Sequence, residues 1–158
     1  MSAAEALAKI GVSGKVLIIG GANIAADLVK QLGLSEAHVA DDDSQSLQNL
    51  STTSSTVKIT PVYTRVIERL VELPSTTFDT VVAFYSLERA LNKRAFMTEA
   101  RRLLKQGGKL IVLTHVRGFL RRRGLSKTEL DKLLATHGFK LVERIQKGGD
   151  ALCVLLKE

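Results

Sequence analysis

Apolar positions along this chain fall into short unbroken runs separated by stretches with helical spacing. Gly14-Lys-Val-Leu-Ile-Ile19 is rich in β-branched residues and bounded by glycine, the pattern of a strand covered on both faces. Gly20-Gly21 supplies a turn. Residues 23–32 then place Ile24, Leu28 and Leu32 on one helical face, with Gly33 set to end the helix. Residues 37–40 predict a second strand that runs into Asp41-Asp42-Asp43. Between Ser44 and Thr56 only Leu47 and Leu50 are apolar, which predicts a weak helical turn and then an exposed loop. Residues 57–61 alternate and suit a strand near an edge. Residues 64–73, with Val66, Ile67, Leu70 and Val71, predict a short helix ending before Pro74.

The second half repeats the alternation. Residues 79–85 form another apolar run. Residues 94–105 form an amphipathic helix, with Phe96, Met97, Ala100, Leu103 and Leu104 opposite Arg94, Arg101, Arg102 and Lys105. Gln106-Gly107-Gly108 is expected to stop it, and residues 109–114 predict a strand. Ser126 followed by Glu129 has capping-box spacing, with Leu130, Leu133 and Leu134 as the stripe of a helix ended by Gly138. Two closing strands, 139–145 and 151–156, flank the hairpin turn Gln146-Lys-Gly-Gly-Asp150. Strands alternating with helices predict an α/β fold: a Rossmann-like, doubly wound, mostly parallel sheet to which the C-terminal hairpin adds an antiparallel strand. No repeat or linker divides the chain, so residues 1–158 are expected to form one domain.

Composition narrows the function classes. With 45% hydrophobic and 25% charged residues the chain reads as a soluble globular protein. Its one cysteine, Cys153, lies in the apolar run Ala151–Leu156 and is expected to be a core residue, which excludes an internal disulfide or a cysteine-built metal site. No apolar stretch approaches the length of a membrane span, and the first residues carry no leader pattern. A cytoplasmic protein is the expectation. Charge is uneven: residues 1–80 carry 6 Lys/Arg and 9 Asp/Glu, residues 81–158 carry 17 and 7.

Three segments, in order, resemble the class I S-adenosylmethionine-dependent methyltransferases. Leu73-Pro-Ser-Thr-Thr-Phe-Asp-Thr-Val-Val82 is similar to that family's approach to strand four. Ala100-Arg-Arg-Leu-Leu-Lys-Gln-Gly-Gly-Lys-Leu-Ile-Val112 resembles its R-x-L-K-P-G-G-x-L passage. Leu125-Ser-Lys-Thr-Glu-Leu130, with Leu133–Glu143, resembles its closing segment. The resemblance implies a glycine-rich loop after strand one and an acid after strand two that holds the cofactor's ribose. Val16-Leu-Ile-Ile-Gly-Gly-Ala-Asn-Ile24 departs from the loop pattern: Ile18 stands for the acid, Ala22 for the second glycine and Ile24 for the third. Gly20, Gly21 and Asp42 are therefore expected to be weak or vestigial cofactor contacts, with Asp42 matching the ribose acid in Asp42-Asp43-Ser44. The same three aspartates also suit a helix N-cap. Few residues precede strand one, so no lid over the groove is expected.

Other candidate chemistry is sparse. His38, His115 and His137 lie on separate elements without metal-ligand spacing. His115 alone ends a strand on the side where this topology binds ligands. Tyr85 suits either a substrate-facing aromatic or core packing, and His137 suits the carbonyls at a helix end. A short methyltransferase-like domain without the glycine pattern resembles the amino-terminal domain of anamorsin, a cytosolic iron–sulfur assembly factor. That resemblance implies a non-catalytic domain with no cofactor of its own, docking to a diflavin reductase partner. An active methyltransferase, with S-adenosylmethionine as cofactor, is the alternative. Arg117, Arg121, Arg122, Arg123 and Lys127 form a basic segment for a protein partner or for RNA, with Phe119 available to stack. No metal site and no membrane association are expected.

Overall fold

The computed structural model describes residues 2–52, 57–118 and 122–158. In chain order the elements are α1 (Ala3–Ile10), β1 (Val16–Ile19), α2 (Ala25–Gln31), β2 (Glu36–Asp41), α3 (Ser44–Thr52) and β3 (Lys58–Tyr63). They are followed by β4 (Phe78–Phe84), α4 (Lys93–Leu103), β5 (Leu104–His115), α5 (Lys127–Ala135), β6 (Phe139–Lys147) and β7 (Asp150–Lys157). One seven-stranded sheet runs β3-β2-β1-β4-β5-β7-β6. The first five strands pair in parallel, while β7 is antiparallel to both β5 and β6. This is the expected Rossmann-like, class I methyltransferase arrangement. The hairpin adds two strands rather than one, and β7 is threaded between β5 and β6.

Successive residues of each central strand enter opposite layers, which is why the runs are apolar without alternation. Leu17, Ile19, Val81, Ala83, Leu110, Val112, Cys153 and Leu155 pack with Phe96, Met97, Leu130 and Leu134 of α4 and α5. Val16, Ile18, Val82, Ile111, Leu152 and Val154 pack instead with Leu7, Leu28, Val29, Leu47 and Leu50 of α1, α2 and α3. Phe78 is fully buried. Its neighbour Asp79 takes the Lys15 N–H at 2.8 Å, fastening the start of β4 to the start of β1.

Residues 3–10 form a helix that the sequence pattern did not predict, begun by a reciprocal Ser2–Glu5 capping box. Three local expectations are corrected. The polar stretch from Ser44 is a nine-residue helix because Leu47 and Leu50 anchor one side of it; the loop expected beyond falls partly on residues 53–56, outside the described residues. Residues 64–73 are turns, not a helix. Their backbone groups bond to α4 side chains: Glu99 accepts from the Leu70 N–H, and Arg102 donates to the Leu70 and Leu73 carbonyls. The Thr64 hydroxyl also competes locally, accepting from the Val66 N–H and donating to its carbonyl. Finally, α4 ends at Leu103, ahead of the glycines, and Gly107-Gly108 lies inside β5 beside a register shift at Phe78/Thr80.

Candidate functional site

The carboxyl ends of β1, β2 and β4 meet at a groove of about 500 Å3 lined in part by Gly21, Asn23, Asp43, Phe84, Arg89 and Arg123. The β1–α2 loop forms one wall. Gly20 and Gly21 both have positive φ, 86° and 67°, a conformation that glycine adopts without strain. A Cβ on Gly21 would lie 2.6 Å from Phe84 Cδ1, and one on Gly20 would lie 2.8 Å from the Phe84 carbonyl oxygen. The clearance these glycines create is thus taken up by the end of β4. Ile18 and Ala22 are buried, and Ile24, 38% exposed, precedes α2; none of the three brings a polar side chain to the groove.

The three aspartates after β2 have three different jobs. Asp41 is buried and accepts hydrogen bonds from the backbone N–H of Ala22 (3.0 Å), Asp42 (2.7 Å) and Asp43 (3.4 Å). It ties the end of β2 to the loop after β1. Asp43 caps α3, accepting from the Ser46 N–H and hydroxyl. Asp42 faces outward, and Arg89 Nη1 lies 3.1 Å from its Oδ1. Arg89 Nη2 lies 3.4 Å from Asp41 Oδ1, so one guanidinium spans both carboxylates. Burial pushes the Asp42 pKa up, but hydrogen bonding with Asp41 and the Arg89 charge outweigh it and hold the carboxyl below its ordinary value.

A second polar group sits where β4 and β5 end. Tyr85 has φ 53°, strained for a bulky side chain. Its ring lies 4.5 Å from the His115 ring, tilted by 33°, and its hydroxyl donates to Asp150 Oδ2 at 3.1 Å. Burial, then the Asp150 carboxylate, push the phenol pKa up to about 12, so it stays a donor. His115 Nδ1 is 2.9 Å from Glu88 Oε1, which also accepts the His115 N–H at 2.8 Å. The other ring nitrogen, Nε2, lies 3.9 Å from Asp150 Oδ1. Glu88 and Arg89 belong to a 3-10 turn, Leu87–Arg89, hung from the Ile19 carbonyl by the buried Ser86 hydroxyl. That turn therefore serves both ends of the groove.

Beyond Tyr85 lies a smaller cavity of about 320 Å3, with Ala3 and Ala6 of α1 on one side and Ile145, Lys147 and Asp150 of the hairpin on the other. α1 lines this cavity, while none of the residues lining the groove belongs to it. The other histidines lie elsewhere: His38 packs edge-on to Phe78, and His137 Nδ1 is 3.1 Å from the Leu133 carbonyl at the end of α5.

The basic segment is described only in part. Arg121 and Phe119 lie outside the described residues. Arg117 is 3.8 Å from Glu129; Arg122 and Lys127 are exposed, and Arg123 lines the groove. Of the cations at 94–105, Arg101 donates to the Gly138 and Glu158 carbonyls, Arg102 pairs with Glu99, Lys105 lies 3.4 Å from Asp79, and Arg94 is exposed. Arg89, Glu88, Phe84 and Asp150 are the groove residues sequence reasoning missed. Among the described residues no cluster of three or more His, Cys, Asp or Glu is placed to hold a metal, and no helix is long and apolar enough to cross a membrane.

Fold and groove together define the class I methyltransferase type. Residues 19–112 match the methyltransferase domain family, and the chain belongs to that family. Among solved structures it is similar to an S-adenosylmethionine-dependent methyltransferase from Mesorhizobium loti (TM-score 0.78, 13% identity, 98% of each chain covered). It is also similar to one from Aquifex aeolicus (0.76, 16%, 98% of this chain and 89% of that one). A protein from Pyrococcus horikoshii gives 0.74 at 20% identity, covering 98% of this chain and 86% of its own. No curated protein matches the chain.

Proposed function

We propose that the protein is a methyltransferase-fold interaction module whose groove does not hold S-adenosylmethionine. The observation that carries this reading is Arg89 bridging Asp41 and Asp42: the carboxylate that would accept ribose hydroxyls already has a charged partner. The Phe84 ring against Gly21 supports it, because close backbone approach there serves internal packing. In this reading the residues present do not fit the cofactor, and no chemical step is routed through it. The resemblance to the anamorsin domain supports the same reading and makes a cytosolic diflavin reductase the first partner to test. Calorimetric titration with S-adenosylhomocysteine is expected to give no heat of binding at concentrations up to about 1 mM. Micromolar binding that disappears in Asp42→Ala overturns it.

A second reading, S-adenosylmethionine-dependent methyl transfer, is favoured by one arrangement. Glu88 holds the His115 ring at the ligand-bearing end of the sheet, beside a strained tyrosine and a second cavity. It requires Arg89 to leave Asp42. RNA binding through the basic segment is the weakest of the three, because Arg101, Arg102 and Lys105, which would extend that segment, already have protein partners.

A further inference from the structure

A cavity of about 690 Å3, larger than either one at the strand ends, lies between the first turn of α4 and one side of α5. Leu133 forms part of its apolar wall, and Leu91 stands at its mouth with 92% of its surface in water. Leu91 is not on a free loop. The next residue, Asn92, donates its N–H to Glu68 at 2.6 Å and caps α4 by accepting from the Ala95 N–H at 2.9 Å. An immobilised, fully exposed leucine forgoes roughly 1.5–3 kcal/mol of burial, which contact with a partner would recover.

The rim of this cavity is basic. Lys93, Arg94, Lys132 and His137 line it, against the single carboxylate of Glu129, which already faces Arg117 at 3.8 Å. Lys93, Arg94 and Lys132 form no ion pair with any carboxylate among the described residues. Lys93 and Arg94 also open α4, whose first turn holds no acid. A helix N-terminus carries partial positive charge and favours acids there, so these two cations oppose the local field instead of relieving it. An anionic partner placed over them would be attracted by the side chains and by the helix end together.

We propose that this cavity docks an acidic amphipathic segment of a partner protein, an apolar side chain seated between Leu91 and Leu133 and carboxylates over Lys93, Arg94 and Lys132. Charge complementarity and the apolar mouth select this occupant jointly: a nucleic-acid backbone would meet the cations but leave Leu91 in water. The inference rests on the reading of the chain as an interaction module, and it names the partner's chemistry.

The test is fluorescence anisotropy of a labelled, Glu-rich synthetic peptide with leucines at helical spacing. Two further probes are a leucine-free Glu-rich peptide and an oligouridine RNA. The amphipathic peptide is expected to bind saturably and to weaken about tenfold as salt rises from about 50 to about 500 mM. Leu91→Asp, and Lys93→Glu with Arg94→Glu and Lys132→Glu, should each cost about tenfold or more in affinity. Leu91→Asp changes an exposed side chain and should melt near wild type; the triple variant also loses the bond from Lys93 Nζ to the Ala90 carbonyl at 3.0 Å, so its melting temperature should fall slightly, offset in part because acids suit the start of α4. No peptide binding, equal binding of the leucine-free peptide, or an unaffected Leu91→Asp variant overturns the proposal. So does tighter binding of the RNA that the triple variant abolishes. None of these results bears on the homocysteine titration, so the two readings fail separately.

Discussion

The two ends of the groove are both charged, yet they are built for opposite outcomes. At the β2 end every acid is answered: Asp41 by three backbone N–H groups, Asp43 by Ser46, Asp42 by Arg89. At the β4–β5 end, Glu88 fixes a histidine whose second nitrogen lies 3.9 Å from Asp150, and the backbone beside it is strained at Tyr85. The first arrangement consumes hydrogen-bonding capacity; the second keeps it available. Family membership is carried by the fold, and in the proposed reading it is Arg89, paired with Asp41 and Asp42, that keeps the first end closed to a ribose.

The largest expected effect is at Asp41. Asp41→Ala strands the Ala22, Asp42 and Asp43 N–H groups next to a buried loop and should cost about 2–4 kcal/mol, read as a shift of the denaturation midpoint at constant slope. A cost under about 0.5 kcal/mol would mean that the loop is held by other contacts.

Next is Tyr85→Phe, which removes the bond to Asp150 and should cost about 1 kcal/mol at neutral pH. The same hydroxyl gives a pH signature. Its folded pKa of about 12 lies above the ordinary phenol value of 10.0. In the interval between them the unfolded chain has lost the proton and the folded chain has kept it. Stability should therefore fall as pH rises from about 10 to about 12. Tyr85→Phe should flatten that decline and remove the absorbance step near 12; an unchanged alkaline titration would show that the Tyr85–Asp150 contact is absent in solution.

The smallest effect on stability, and the one that sharpens the contrast most, is Arg89→Ala. Its guanidinium and Asp42 are part-exposed, whereas Asp41 is buried but already accepts three backbone N–H groups, so the loss should be at most about 1 kcal/mol. Freed of the guanidinium, Asp42 should gain whatever affinity the groove has for S-adenosylhomocysteine. If Arg89→Ala binds it and the wild type does not, the guanidinium alone sets the barrier. Silence in both variants assigns the block to the Phe84–Gly21 wall.

Much of the fold was legible because it is written in short-range patterns. Unbroken apolar runs announced strands buried on both faces, Gly148-Gly149 announced the hairpin, and Phe78-Asp79 marked the start of β4. The first helix was also written locally, in the Ser2–Glu5 capping box, but went unread because an alanine-rich start offers little apolar contrast. Residues 64–73 had helical periodicity and lost it to Glu99 and Arg102, partners supplied from another element. The groove was harder still. Arg89 meets Asp42 across 47 residues and Glu88 meets His115 across 27; no spacing rule foretells such pairs, because the sheet order brings them together. The aspartates illustrate the limit: type and neighbourhood were readable, while the division of labour among Asp41, Asp42 and Asp43 was not.

The placement of β7 has a consequence for how the molecule assembles. Its inner neighbour β5 and its outer neighbour β6 are both antiparallel to it, and only β6 is linked to it by a tight turn, at Gly148. The hairpin can close on its own within microseconds, whereas pairing with β5 must close a much longer loop. Assembly of this side of the sheet should then proceed as a docking of a finished hairpin, apolar strand inward, onto the β5 edge. Until that happens β5 is a bare, strongly apolar margin. The fold's exposure to misassembly is concentrated at that one seam, which lies across the sheet from Asp41, Asp42 and Asp43.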